Sequence, residues 1–575
     1  MRTLVILLLF LGGTSLWAYS ADHFYASKLG LAITSARKEF NAWEGKHGAG
    51  HKKVIEVRHN LAKILVAAGR FVEASHHGSN ALFQAENTLG ANHYLLGEIL
   101  TTVAKIELGL GRLQPAEAAC QRALLVIKKT KKGQGQRAAA LLGAMAQVRI
   151  GQCRFGEAEK LAKQALAFRK RAKKHKALFL CEAKCIKARA LVGLGRFQEA
   201  EKLCQEILKE AKASIGEDHF FLAPVFGTMC LIRVQLERYR DVYPLFKKQR
   251  DILEKSLGKV SPTILLAWDS VIEGAARLSA YRDARRLVGE GEAIVLKNCS
   301  AGSPIYCRLL LAKGLLELFL DEPQKSANTA SSLRNSVSAL GNEHPLVARS
   351  RTYKEKLALT RGEARPKALQ TFKWALKVIA KTNGNNHPNY GRGLYDLASV
   401  FYQQGKVNEA KDSLIKAKKL IAATVGRGAP TIARIMSREA QILIDAKEYT
   451  AAEKTIKRAV LISQKALGKS AFYTLSLRSM LSTVHKARGL KSDCANELEA
   501  IIHISEKLLG PRHAVVLRYK LALATAWLDL GLNKRAKQLL KATIPLARHR
   551  FGINHPLVGQ AEHIYKSRSR RRRKK

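Results

Sequence analysis

The sequence predicts an all-α solenoid of antiparallel helix pairs, about twelve of them, with half a pair at each end. Three observations predict it. A small residue recurs every 42 positions: Ala74, Ala116, Ala158, Ala200, Val242, Ala284, Ser326, Ala368, Ala410, Ala452, Cys494 and Ala536. Glycine follows the same grid at Gly48, Gly90, Gly216, Gly258, Gly384, Gly426, Gly468, Gly510 and Gly552, and a third column holds Gly69, Gly111, Gly195, Gly405, Gly489 and Gly531. Between these glycines the apolar residues recur at helical spacing. A fixed period of this length marks a repeat array, whose units bury their apolar faces only against their neighbours.

Residues 388–430 show how one unit is built. Pro388 suits the first turn of a helix, where its missing N–H leaves nothing unsatisfied. Leu394, Leu397, Ala398 and Phe401 then form one face, and Gly405 fits the left-handed position that closes the helix. A second helix carries Ala410, Leu414, Ala417 and Ile421, Gly426 ends it, and Pro430 opens the next unit. Small residues at Ala398, Ala410 and Ala417 let the two backbones approach closely, where larger ones would overpack.

At Leu397-Ala398, Phe401, Gly405, Ala410 and Ala417 the chain resembles the tetratricopeptide repeat family. The extra length of each unit and its Gly-x-x-His-Pro junction, as in Gly384–Pro388, are similar to the longer repeats of kinesin light chains. The resemblance covers about residues 31–566 and fades over 220–370, where a bend or a junction between two arrays is expected. It implies a right-handed superhelix whose first helices line a concave groove that grips peptides. The groove is expected to be an open face rather than an enclosed pocket.

In chain order, residues 1–20 read as a secretory signal peptide. Arg2 precedes the apolar run Leu4–Leu11, and small residues two apart, Ala18 and Ser20, precede the expected cleavage site. The run is shorter than the roughly 20 residues that span a bilayer. Export to the periplasm or the exterior is the expectation. Residues 21–50 form an N-terminal capping helix, 51–216 carry repeats 1–4, 217–383 the divergent repeats 5–8, and 384–552 repeats 9–12. Residues 553–566 form a C-terminal capping helix. Residues 567–575 form a basic tail, expected to be disordered.

Chemistry is sparse. No phosphate-loop pattern, His-Glu-x-x-His, Gly-x-Ser-x-Gly or paired Cys-x-x-Cys occurs in the sequence. An enzyme is not predicted, and neither is a cofactor, a metal or a small-molecule substrate. His51, His93, His219, His344, His387, His513 and His555 share the junction column. Packed helices lie about 8–10 Å apart, too far for a shared metal with bonds near 2 Å, so the column reads as helix entry. Cys181 and Cys185, one turn apart with His175 upstream, suit packed thiols better than a metal. Cys299 and Cys307 flank one junction, and the sequence leaves open whether they are bridged.

Candidate ligand residues come from two columns on the first helices. Lys63, Lys105, Gln147 and Arg189 sit eleven before the small residue, at a position that faces the groove in the family. Arg392, Arg434, Ser476 and Arg518 sit eighteen before it, in the column that also holds Glu56, Glu98 and Glu182. Either column suits a track of carboxylates or phosphates, with Arg as a bidentate clamp. A solvated basic stripe gives the same pattern in a chain with 99 Lys and Arg among 575 residues.

Two functions follow. One is a non-catalytic, exported scaffold that holds a peptide or partner protein in the groove. The other is an electrostatic binder of an anionic polymer: nucleic acid, acidic polysaccharide or an anionic membrane surface. The formal net charge of +53 motivates the second reading, as do Arg570, Arg571, Arg572, Arg573, Lys574 and Lys575 at the tail.

Overall fold

The computed structural model describes residues 28–570, apart from 131–133, 171–175, 258–263, 266, 300, 361–365 and 554–555. The expected signal peptide, His175, His555 and the tail residues Arg571–Lys575 lie outside the described residues. Within them the chain is an all-α solenoid of 26 α-helices. A lone helix α1 (Leu29–His47) precedes twelve pairs, α2 (Lys52–Ala67) with α3 (Phe71–Thr88) through α24 (Ala514–Asp529) with α25 (Asn533–Phe551). The lone α26 (Pro556–Arg570) closes the array. This last helix runs four residues past 566, so residues 567–570 are helical rather than tail.

The 42-residue grid has a packing cause. All nine grid alanines are 0% exposed, so each marks a closest approach of neighbouring helices. Where serine replaces alanine, at Ser326, its hydroxyl meets the Tyr353 hydroxyl at 2.6 Å and is satisfied in the core. The junction histidines also have a local cause. In His51, His93, His219, His344, His387 and His513 the ring Nδ1 accepts the backbone N–H two residues on, at 3.0–3.3 Å. Each is thus the N-cap of its helix, satisfying one of the free donors there. An accepting Nδ1 places the proton on Nε2, which leaves that atom a donor.

Among the described residues, repeats 5–8 contain no break in the stack. The first helices there, α10 (Ala223–Gln235) and α12 (Trp268–Arg277), are shortened, but successive pairs keep packing. One hydrophobic core runs unbroken through Cys181–Leu316 and takes in Leu467 and Ala471 from far along the chain.

That long reach corrects the expectation of an open ribbon. The superhelix returns on itself after about four and a half repeats, and each coil sits on the one before it. Most contacts along this seam join residues 190–195 apart in sequence. They fall on the turns that join the two helices of each pair, again at 42-residue spacing. A Cβ added to Gly111 would lie 2.3 Å from Ser303. Cys153 Sγ lies 3.6 Å from His344 Nε2, which also meets the Gly151 carbonyl at 3.0 Å. Gly195 and Phe197 pack on His387, whose Nε2 lies 3.4 Å from the Val192 carbonyl. Glu237, buried, accepts from the Thr431 N–H at 2.7 Å, from the Thr431 hydroxyl and from Arg392 Nε at 3.1 Å. Ser279 Oγ accepts the Phe472 N–H at 2.9 Å. Asp321 pairs with Arg550 at 2.8 Å. The lone α1 adds an apolar contact through its neighbourhood to Leu257.

Candidate functional site: the lumen of the superhelix

Stacking the coils encloses the concave face. The resulting lumen has a volume of about 910 Å³ and is lined by first helices from both coils. That is the upper end of the roughly 300–1,000 Å³ of ligand cavities.

The sequence columns map onto it unequally. Lys63, Lys105, Gln147 and Arg189 all line the lumen, as do Leu231 and Glu273, the next two residues of the same column. Lys105 is paired with Glu182 at 3.0 Å across two repeats. Glu98, in the acidic column, holds Arg137 at 2.6 Å. The second column divides. Arg392 is committed to the seam: besides Glu237 it donates to Gln235 Oε1 at 2.9 Å and to the Gln235 carbonyl at 2.7 Å. Arg434 lies over the Tyr395 ring at 4.7 Å. Ser476 and Arg518 line a separate recess of about 360 Å³ with Gln441, Ser479 and Thr483. Arg570 ends the last helix, away from these residues in sequence. Cys299 and Cys307 are free thiols, not a bridge, and Cys181 and Cys185 face the Phe221 carbonyl and the Thr228 hydroxyl, each at 3.8 Å.

Electrostatics inside the lumen follow from enclosure. Water reaches Lys63, yet protein surrounds it. Desolvation lowers its amine, aided by the like charge of Lys105 and opposed by Glu98. Burial pushes the Glu182 carboxyl up, but Lys105 and Arg169 outweigh it and hold it below its usual range. Glu273 is held down in the same way, against burial, by Arg277, Arg349 and Arg392. Asp269 fixes Arg308 in a bidentate fork at 2.8 and 2.9 Å. His59, buried, shares a hydrogen bond with the Thr102 hydroxyl at 2.8 Å, and burial holds its ring neutral. Among the described residues Lys63, Arg189 and Arg349 make no ion pair.

Cys153 beside His344 has the outline of a nucleophile and its base, but the geometry gives it no such role. Both ring nitrogens are already engaged, Nδ1 with the Leu346 N–H and Nε2 with the Gly151 carbonyl. Burial pushes the Cys153 thiol up to about 12, so it carries no thiolate at neutral pH.

Sequence columns alone missed Arg308 and Arg349. Arg308 lies eighteen before Ser326, in the same column as Arg392, and extending that column into the divergent repeats finds it. Arg349 is off both columns, and only the coiling brings it to the lumen.

A family model described as tetratricopeptide repeat matches residues 95–171, and a second of the same description matches residues 187–220. Among solved structures, the chain is similar to a Rap protein complexed with competence and sporulation factor. The identity is 12%, covering 64% of this chain and 98% of that one, with a TM-score of 0.48. Aspartyl phosphate phosphatase F from Bacillus subtilis is similar at 13% identity, covering 70% and 92%, with a TM-score of 0.34. No curated protein matches the chain.

Proposed function

The chain is a tetratricopeptide repeat protein, a protein-interaction scaffold, and from that premise we propose that it is exported and holds an extended peptide or partner segment inside its lumen. The observation that carries this reading is the row Lys63, Lys105, Gln147 and Arg189, one polar residue per repeat along a single enclosed wall. Apolar side chains that line the same lumen, including Phe155, Phe179 and Ile305, supply contact area, and the cations supply orientation. The leader-like residues 1–20 support export.

Affinity capture of the chain from envelope extracts tests it. A stoichiometric protein partner is expected, and binding should weaken at least about tenfold in Lys63→Glu with Arg189→Glu, since a reversed charge leaves an anionic group unpaired. Capture without any stoichiometric partner overturns the reading. The net charge of +53 favours a second reading, an anionic polymer or membrane surface bound from outside. Binding to heparin or DNA that falls steeply with salt and survives the lumen substitutions would support that alternative.

A further inference from the structure

Enclosed guanidinium groups in the lumen keep a carboxylate beside them. Arg137 has Glu98 at 2.6 Å, Arg169 has Glu182 at 3.7 Å, and Arg308 has Asp269. Taking such a charge out of water without a partner is costly. Arg189 breaks the pattern, whereas Arg349, also without an ion pair among the described residues, is exposed to solvent. Arg189 lies on α8 (Lys176–Gly193) of the first coil, lines the lumen, and has no carboxylate partner among the described residues. Arg308, a cation on α14 (Pro304–Phe319) of the second coil, lines the same lumen and bears on Arg189 as a like charge. Asp269 occupies Nε and Nη2 of Arg308, which leaves Nη1 with two free hydrogens. Arg308 lines the lumen together with Cys153 and His344, whose contact lies on the seam.

We propose that Arg189 and Arg308 form an oxyanion site that spans the two coils, so that one carboxylate or phosphate group clasps the superhelix shut beside the Cys153–His344 contact. Charge sign sets the class: two guanidinium groups on facing walls take an anion with several acceptor oxygens and reject a cation or a neutral group. An anion placed there relieves the repulsion between the two arginines and ties the first coil to the second. Ligand binding and coil closure are then linked, and each stabilises the other. The proposal rests on the lumen reading above and names the chemistry at one point of it.

The test uses the purified full chain with inorganic phosphate in one arm and a tetraglutamate peptide in the other. Either anion should raise the Tm and slow hydrogen exchange at residues 151–154 and 344–347. Arg189→Gln should lower the affinity about tenfold or more. It should also raise the Tm without anion, because an enclosed unpaired charge is gone; a merely structural arginine would lower it. Arg189→Lys should keep part of the binding. Phosphate alone acting points to a free phosphate; tetraglutamate acting more strongly points to acidic peptide. Unchanged affinity in Arg189→Gln, a lower anion-free Tm, or seam exchange indifferent to either anion overturns the clasp. Tetraglutamate binding that is lost in Lys63→Gln but not in Arg189→Gln removes the clasp and keeps the peptide reading. Phosphate binding that depends on Arg189 with no peptide bound keeps the clasp and removes the peptide reading.

Discussion

The turn between the two helices of a pair has one backbone shape and two surroundings. Along the seam it holds Gly111, Cys153, Gly195, Glu237, Ser279 and Asp321, with φ between 54° and 84°. In the last repeats it holds Gly405, Lys447, Gly489 and Gly531, with φ between 62° and 81°. Glycine suits this left-handed conformation, and an L side chain there costs about 1–2 kcal/mol. The free turns of the last repeats are mostly glycine, and a Cβ added at Gly405, Gly489 or Gly531 would meet nothing within 4 Å. Turns on the seam depart from glycine four times in six. At each departure the side chain reaches the next coil. The comparison teaches that local strain is accepted where a side chain fastens one coil to the other.

The comparison is tested most severely at Glu237. Glu237→Ala relieves no other contact, leaves the enclosed Arg392 unpaired and strips Thr431 of its acceptor. A loss of about 3–5 kcal/mol is expected by denaturant unfolding, with a wider particle in small-angle scattering. A loss below about 1 kcal/mol would mean that the seam is not what keeps this residue off glycine.

Acid should loosen the seam next. Burial, with the like charge of Arg392 beside it, holds His387 down at about 4, against about 6.5 in the unfolded chain. The folded chain keeps the ring neutral while the unfolded chain takes up a proton. Stability is therefore full above pH ~6.5 and declines as the pH falls towards 4, by about 3 kcal/mol for this group. Burial likewise lowers His344. His387→Asn keeps an N-cap acceptor and does not titrate, so its stability between those pH values should decline less than that of the unaltered chain.

Glycine substitutions sharpen the contrast. Gly405→Ala should lose about 1 kcal/mol through its positive φ alone. Gly111→Ala should lose about 1–3 kcal/mol more, because its Cβ would lie 2.4 Å from the Ser303 backbone. Equal losses would show that the coils separate freely at that point. The smallest effect is expected at Lys447, which has a positive φ of 62° and no side-chain seam contact among the described residues. Lys447→Gly should gain about 0.5–1 kcal/mol in unfolding measurements, whereas Glu237→Gly relieves the same backbone strain and should still destabilise.

Much of this array was legible in the residues themselves. Ala74 to Ala536 gave the pairing, Pro388 and Pro430 the helix starts, and Gly405 the turn, because each acts within a few residues of its place in the chain. Lys63 and Arg189 could be placed on the lumen wall because their column sits on the first helices. The seam was not legible. Cys153, Glu237, Ser279 and Asp321 stand where the glycine column lapses and nothing near them in the sequence marks a seam, and repeats 5–8 read as a bend or a junction between two arrays. Arg392 read as a ligand residue because nothing local shows that Glu237, 155 residues earlier, already holds it.

The sequence by itself determined the repeating pair, since helix periodicity, capping and close packing are local and act identically in every unit. Tertiary structure alone decided that the face is enclosed. The rotation between neighbouring units is a small angle set by many side-chain contacts, and only its sum over four and a half units brings Gly111 onto Ser303 and Glu237 onto Thr431.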